Sequence, residues 1–270
     1  MKFLKTLLDF YINSSIHVAL AVFSFVRITE FYLRIAPNES LNWFVFFATV
    51  TGYNFVKYAG VAKLHHRSLT THLKIIQIFS LLCFLLMCYF AWLLPLRIVL
   101  FFVPFGLLTF LYAVPFFSGF QKNLRSIGYL KVVVVAAVWM GTTVLLPVYA
   151  AEISLTTKVL LMSVQRFLLV VILILPFDIR DVQYDAISLQ TIPKKIGVES
   201  TKKFGYVLLL LCLVLEFLMS PNAEFKRVFL GVFFVILFLL MRAKTNQTKY
   251  YSSFLVEAVP VFWMLLLLVK

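Results

Sequence analysis

Acidic side chains are scarce in this chain: 11 Asp and Glu stand against 25 Lys and Arg, for a formal net charge of +14, and only four of the acids are aspartate. Cysteine is scarcer, with Cys83, Cys88 and Cys212 the only three in 270 residues. They show no Cys-x-x-Cys spacing and have no histidine cluster beside them, which argues against a disulfide framework or a thiolate metal site and leaves them as small apolar side chains. No polar connection is long enough to hold a soluble module. No internal repeat of the kind many transporters carry is visible either.

What is abundant is apolar surface. Hydrophobic residues make up 63% of the chain and the mean hydropathy is +0.99, well above the roughly 45–50% apolar usage of soluble domains. About 20 apolar residues span a bilayer as a helix, and nine such stretches can be marked, near 14–33, 41–62, 73–94, 97–118, 128–150, 156–177, 204–220, 225–241 and 251–269. The expectation is an all-α, nine-helix membrane protein with residues 1–270 in a single domain. The first residues, MKFLKTLLDFYINSS, are interrupted by Asp9, Asn13, Ser14 and Ser15. They read as an amphipathic lead-in to the first span rather than a cleaved signal.

The excess of cations is distributed like a membrane sidedness signal rather than a nucleic-acid footprint, so nucleic acid is not an expected partner. With the N-terminus inside, 17 of the 25 Lys and Arg fall in the N-terminal tail and the 2–3, 4–5, 6–7 and 8–9 connections, against six on the other side. The positive-inside rule then places the N-terminus and those connections in the cytoplasm and the C-terminus outside. A bacterial-type inner or plasma membrane is the expected location. Segments 57–73, 119–130 and 178–203 meet at the cytoplasmic face, where one site can draw on all three.

Three of the four aspartates, Asp178, Asp181 and Asp185, fall within eight residues at the end of the sixth apolar stretch. Spaced i, i+3 and i+7, they project from one face if the helix continues through them. Carboxylates packed together at membrane depth repel one another unless cations neutralise them. Hard oxygen donors suit Mg2+, which takes one or two protein carboxylates and fills its shell with water and substrate phosphate. A plainer role stays open: Asp178 as a helix cap, and Arg180, Lys194 and Lys195 as simple partners of the acids.

The run Pro176-Phe-Asp-Ile-Arg-Asp-Val-Gln-Tyr-Asp185 followed by Thr191-Ile-Pro-Lys-Lys-Ile-Gly197 resembles the second aspartate-rich motif of UbiA-type intramembrane prenyltransferases. That motif follows the sixth of nine transmembrane helices, as here. The resemblance implies an Mg2+ cofactor held by Asp178, Asp181 and Asp185, an isoprenyl diphosphate donor, and prenyl transfer within the membrane lipid to a lipophilic acceptor, often aromatic. On this reading Asp181 and Asp185 are the central catalytic pair. The first motif of that family is not kept: Asn54 is present, but Phe55, Tyr58 and Ala62 stand where its aspartates would. Lys57, Lys63, His65, His66 and Arg67 make this segment basic, which leaves two readings: cations that neutralise diphosphate where the first metal would sit, or a loop that is only a positive-inside anchor. The adjacent His65 and His66 do not share a helix face and are poor metal ligands. After the fourth span the family often carries a Tyr and a basic pair; here Tyr112 is followed at a longer interval by Lys122, Arg125 and Lys131, and Lys122 and Arg125 are candidates either for diphosphate clamps or for ordinary sidedness charges.

Intramembrane ionisable residues are functional candidates by default. Arg27 resembles a first-helix arginine facing diphosphate in that family, and equally forms an i, i+3 pair with Glu30. Gln165, Arg166, Glu216 and Glu257 are the others, with Arg166 a candidate brace against Glu216 or Glu257. The 30 Phe side chains mostly face lipid or neighbouring helices, and any of them that lined a tunnel would offer its π face to a carbocation. Prenyl transfer is the leading expectation. A non-catalytic prenyl-lipid binding or scaffold protein of the same fold is the alternative, followed by a small-molecule transporter.

Overall fold

A chain this apolar has to satisfy its backbone N–H and C=O groups within its own segments, and the helix does so without partner strands. The computed structural model describes residues 2–64, 71–114, 128–183, 191–220 and 222–269, and among these it is helical with no strand. The helices are α1 (Lys2–Asn13), α2 (Ile16–Leu33), α3 (Glu39–Leu64), α4 (Thr71–Leu93), α5 (Leu96–Ala113), α6 (Gly128–Met140), α7 (Leu146–Ala150), α8 (Thr157–Asp181), α9 (Ile192–Ile196), α10 (Val198–Met219), α11 (Ala223–Arg242) and α12 (Val259–Leu268). Two π-helical stretches interrupt this pattern. Gly141–Leu145 joins α6 to α7, and Tyr251–Val256 leads towards α12.

Among the described residues six segments are long and apolar enough to cross a membrane: Ile16–Leu33, Leu73–Leu93, Leu96–Ala113, Leu130–Ala150, Thr157–Asp181 and Tyr251–Leu268. The sequence expectation of nine differs at α3, α10 and α11. These have 26, 22 and 20 residues but carry more polar and charged side chains. Leu81, Leu82, Leu85, Trp92, Leu100 and Leu107 on α4 and α5 are exposed, the outward apolar surface that only a lipid surrounding stabilises. Segments α2 and α8 sit in the middle of the bundle. The first packs on α3, α12 and the π-helical stretch Gly141–Leu145, the second on α6 and α10.

The lead-in is a separate helix. The chain breaks at Ser14 and Ser15, with Ser15 in the left-handed region at φ 64. The end of α1 is then tied down by α3, because Tyr58 donates its hydroxyl to Asn13 O (3.0 Å) and Lys57 Nζ donates to Ile12 O (3.3 Å) and Ser15 Oγ (2.9 Å). A second tie joins Asp9 to Lys249 and to the Tyr250 hydroxyl (2.8 Å). The hydrogen bond from Lys249, then that from Tyr250, holds the Asp9 carboxyl below its ordinary range, and the same pair raises Lys249. A lowered carboxylate contributes stability above its unfolded value and loses it as pH falls through its folded value. Protection of the amides over residues 2–13, relative to their intrinsic exchange, should therefore fall only as the pH drops below the ordinary carboxylate value of 3.8, and Asp9→Asn should remove that pH dependence.

Gly141, at the start of the first π-helical stretch, marks a close approach. A Cβ there would fall inside the Phe105 ring of α5. Gly141→Ala should destabilise the protein by about 1–3 kcal/mol through overpacking, read as a lower melting temperature in detergent.

The same stretch helps hold a buried arginine. Arg166 of α8 is 1% exposed and donates through Nη1 to Phe25 O (2.9 Å) and Thr143 Oγ1 (2.8 Å), with its guanidinium carbon 4.0 Å from the Phe25 ring centroid. Thr29 Oγ1 closes the cluster by donating to Thr143 O (2.6 Å). The expected brace of Arg166 against Glu216 or Glu257 is thus replaced by neutral acceptors and an aromatic face. Glu216 has its own partners: it accepts from the Tyr32 hydroxyl (2.6 Å), Gln165 Nε2 (2.9 Å) and Ser220.

Candidate active site

The last turn of α8 carries Asp178 and Asp181, and three residues of helical rise bring both carboxylates to one face about one turn apart. A helix C-terminus carries partial negative charge, so acids there need compensation. It comes from two directions. Lys131, in the first turn of α6, donates to Asp178 Oδ1 at 2.8 Å, and the Asp178 side chain is fully buried. Arg180 forks Asp181 through Nε (2.7 Å) and Nη2 (3.1 Å), and donates through Nη1 to Ser252 Oγ (2.8 Å) and Ser253 Oγ (3.3 Å). The second π-helical stretch presents those serines, tying the start of the last span to the end of α8.

These groups open onto a cavity of about 380 Å3. One part of its lining is charged, with Lys57, Lys131, Asp178, Arg180, Asp181 and Glu257. The other is apolar and aromatic, with Val134, Val138, Val170, Leu173, Phe177 and Trp139 among its walls. Tyr53 of α3 accepts a hydrogen bond from Trp139 Nε1 at 2.8 Å within that wall. Such a cavity fits an amphiphile with an anionic head and an apolar tail.

Of the residues singled out in the sequence, Asp178, Asp181 and Lys57 line this cavity together. Asn54 and Arg27 do not. Asn54 is buried and donates to Ser14 O (3.0 Å) and Ser80 Oγ (2.8 Å), fastening α3 to the α1–α2 break and to α4. Arg27 pairs with Glu30, whose other oxygen accepts from Asn42 (3.0 Å), so of its two readings the structure displays the i, i+3 pair. Asp185, Lys122 and Arg125 lie outside the described residues, as do His65, His66 and Arg67. The α8 helix ends at Asp181, so the single helical face drawn through i, i+3 and i+7 extends only to the first two aspartates. Where the first family motif would place aspartates, Phe55 stacks on Phe110 of α5 (5.7 Å between centroids) and Tyr58 holds α1.

The resembling tail of the motif forms a local structure of its own. Thr191 O accepts from the backbone of Lys194 and Lys195 (3.1 Å each) to start α9, and Gly197 lies at φ 84, where other residues are strained. Sequence reasoning placed Lys131 in the basic group after Tyr112 but carried a role only to Lys122 and Arg125, although the place of Lys131 in the first turn of an apolar helix was a signal. Glu257 was noted only as an intramembrane acid. Nothing in the sequence pointed to Tyr53 or Trp139, because a shared cavity wall depends on which helices pack together.

Among the described residues no three His, Cys, Asp or Glu side chains are grouped to hold a metal ion. Asp178 and Asp181 alone supply the one or two carboxylates that Mg2+ takes when water and phosphate oxygens complete its shell. The donor set therefore fits a magnesium ion that arrives with a diphosphate.

No family model matches the chain, and no curated protein does. Solved structures do. A UbiA homologue from Aeropyrum pernix K1, in its apo form, aligns with a TM-score of 0.68 at 16% identity, over 94% of this chain and 98% of that one. A UbiA homologue from Archaeoglobus fulgidus bound to GPP and Mg2+ aligns with a TM-score of 0.63 at 13% identity, over 96% and 97%. A structure of digeranylgeranylglyceryl phosphate synthase aligns with a TM-score of 0.60 at 15% identity, over 100% and 98%. The chain therefore has the fold of these UbiA homologues along essentially its whole length.

Proposed function

We propose that this chain, which shares its fold with the UbiA homologues, is an intramembrane prenyltransferase that binds an isoprenyl diphosphate in the 380 Å3 cavity and transfers the prenyl group to a lipophilic acceptor. The observation that carries the reading is the division of one cavity into an apolar aromatic channel and a head holding Asp178, Asp181, Lys57, Lys131 and Arg180. Asp178 and Asp181, with Asp185 of the same motif, would hold Mg2+, and the ion would neutralise charge developing on the departing diphosphate. Lys131 and Arg180 keep the two carboxylates in position. Lys57, whose Nζ already meets the end of α1, stands at the head as a cation where the first aspartate motif is missing. The valines, leucines and Trp139 exclude water from the allylic carbon, which limits quenching of the cation formed there. Support also comes from the Archaeoglobus fulgidus neighbour, which was solved with GPP and Mg2+.

The bundle on this reading has nine spans, with α3, α10 and α11 crossing beside the six more apolar segments. On this reading the charged end of the cavity, with Lys57, Lys131 and Arg180, belongs to the side with the excess of Lys and Arg, which the positive-inside rule makes cytoplasmic. The experiment is diphosphate release by purified protein from geranyl, farnesyl and longer isoprenyl diphosphates, with and without Mg2+. Metal-dependent release is expected. A second reading rests on Phe55 and Tyr58, which fill the first-motif positions with packing contacts: a protein that binds prenyl lipid without turnover. Metal-dependent donor binding with no release, even with candidate acceptors added, would select it. Absence of donor binding would overturn both.

A further inference from the structure

Among the described residues, the buried and partly buried carboxylates of the bundle interior are matched by donors with one exception. Glu30 receives Arg27 and Asn42, Glu216 receives Tyr32, Gln165 and Ser220, Asp178 receives Lys131, and Asp181 is forked by Arg180. Glu257 is different. It follows the π-helical stretch Tyr251–Val256, lines the cavity, and its carboxylate has no hydrogen bond or ion pair among the described residues. The nearby hydroxyls of Ser252 and Ser253 accept from Arg180, and neither makes a hydrogen bond to Glu257 among the described residues. A carboxylate kept without a donor inside an apolar bundle is costly, and the cost is removed when a ligand brings the donor.

The surroundings state what that ligand must be. Tyr53 lines the same cavity and uses its oxygen as acceptor for Trp139 Nε1, so its own hydroxyl hydrogen is available to a ligand oxygen. A neutral alcohol or phenol matches the pair, donating to Glu257 and accepting from Tyr53, whereas an acidic acceptor would place like charges together. We infer that Glu257 recognises a neutral, hydroxyl-bearing lipophilic acceptor and takes its hydroxyl proton during prenyl transfer; this rests on the prenyltransferase reading above. In the step, the allylic C–O bond breaks and its electron pair leaves with the diphosphate. The acceptor O–H bond breaks with its proton passing to the Glu257 carboxylate. The electron pair so released, on oxygen or delocalised into an aromatic ring, forms the bond to the allylic carbon. Arg180 sets the two halves side by side, since it forks Asp181 at the diphosphate end and holds Ser252 and Ser253 just before Glu257. The other titratable or charged groups around Glu257 are Lys57 and Tyr53 of α3, Tyr11 of α1 and His17 of α2; His17 Nε2 bonds the Phe254 carbonyl at 2.8 Å.

The test compares binding of 1-naphthol and 1-naphthoate to the purified full-length protein and to Glu257→Gln and Glu257→Asp. Wild type and Glu257→Asp should prefer naphthol by about tenfold or more, and Glu257→Gln should lose that preference. Equal binding of the two probes by wild type, or an unchanged preference in Glu257→Gln, overturns the inference. With farnesyl diphosphate, Mg2+ and naphthol, Glu257→Gln should transfer about 100-fold more slowly and lose the acid limb of the wild-type pH profile. Its Mg2+-dependent farnesyl diphosphate binding should stay within about twofold, since the hydrogen bond it loses is on the acceptor side. Loss of donor binding together with transfer would make Glu257 a structural residue and also overturn the inference. Wild type that prefers naphthol yet binds no farnesyl diphosphate would remove the prenyltransferase reading instead, so the two failures are distinct.

Discussion

On the proposed prenyltransferase reading, Asp178→Asn and Asp181→Asn are each expected to lower Mg2+-dependent diphosphate release by roughly 10^3-fold, because each would remove a charged oxygen from the point where diphosphate charge develops. The two variants should separate in stability. The Asp178 carboxylate is fully buried and takes Lys131, so its loss breaks a pair whose acid lies inside the bundle, a change that costs about 3–5 kcal/mol where pairs are buried. The Asp181 pair with Arg180 is partly exposed, with side-chain accessibilities of 31% and 22%, and pairs of that kind contribute at most about 1 kcal/mol. Asp181→Asn should therefore melt near wild type while losing release, and Asp178→Asn should lose both. Release that survives in Asp181→Asn would count against a metal role for that carboxylate.

Arg166→Ala is expected to destabilise the bundle by about 3–5 kcal/mol. The substitution empties the space of a large, fully buried side chain. It also strips donors from Phe25 O and Thr143 Oγ1, acceptors supplied by α2 and by the π-helical stretch Gly141–Leu145. Arg166→Met should recover part of the loss, since its unbranched chain refills the volume beside Phe25 without leaving a charge to be solvated. Melting in detergent reads both. Because Arg166 lies off the cavity lining, the fraction of Arg166→Met that stays folded should bind donor like wild type.

How much was legible beforehand differs between elements for physical reasons. The apolar runs that became α2, α4, α5, α8 and the α6–α7 rod could be read directly, because a bilayer imposes a length and composition on any segment that crosses it. The break between α1 and α2 was visible as polar residues, but the left-handed Ser15 that turns the chain there was not. Asp178 and Asp181 stood out because acids are rare in this chain and helical spacing is local. The continuation of that face to Asp185 was not secured, since a helix end depends on what packs against it, and α8 stops at Asp181. Asn54 and Arg27 could not be placed from sequence. Whether an amide or a guanidinium turns to a cavity or to a neighbour is settled by groups distant in the chain, and here Ser14 and Ser80 take the one while Glu30 takes the other.

The sequence by itself determined that this is a helical membrane protein and which short segment concentrates its acids, because hydropathy and helical periodicity are set within a few turns of chain. Only the tertiary structure decided that Lys131 answers Asp178, that Arg166 rests on neutral acceptors, and that Glu257 faces the cavity with Tyr53 beside it. Those are pairings between helices up to two hundred residues apart, and in a low-dielectric bundle the partner a charge finds is fixed by which faces pack together, a quantity no local pattern contains.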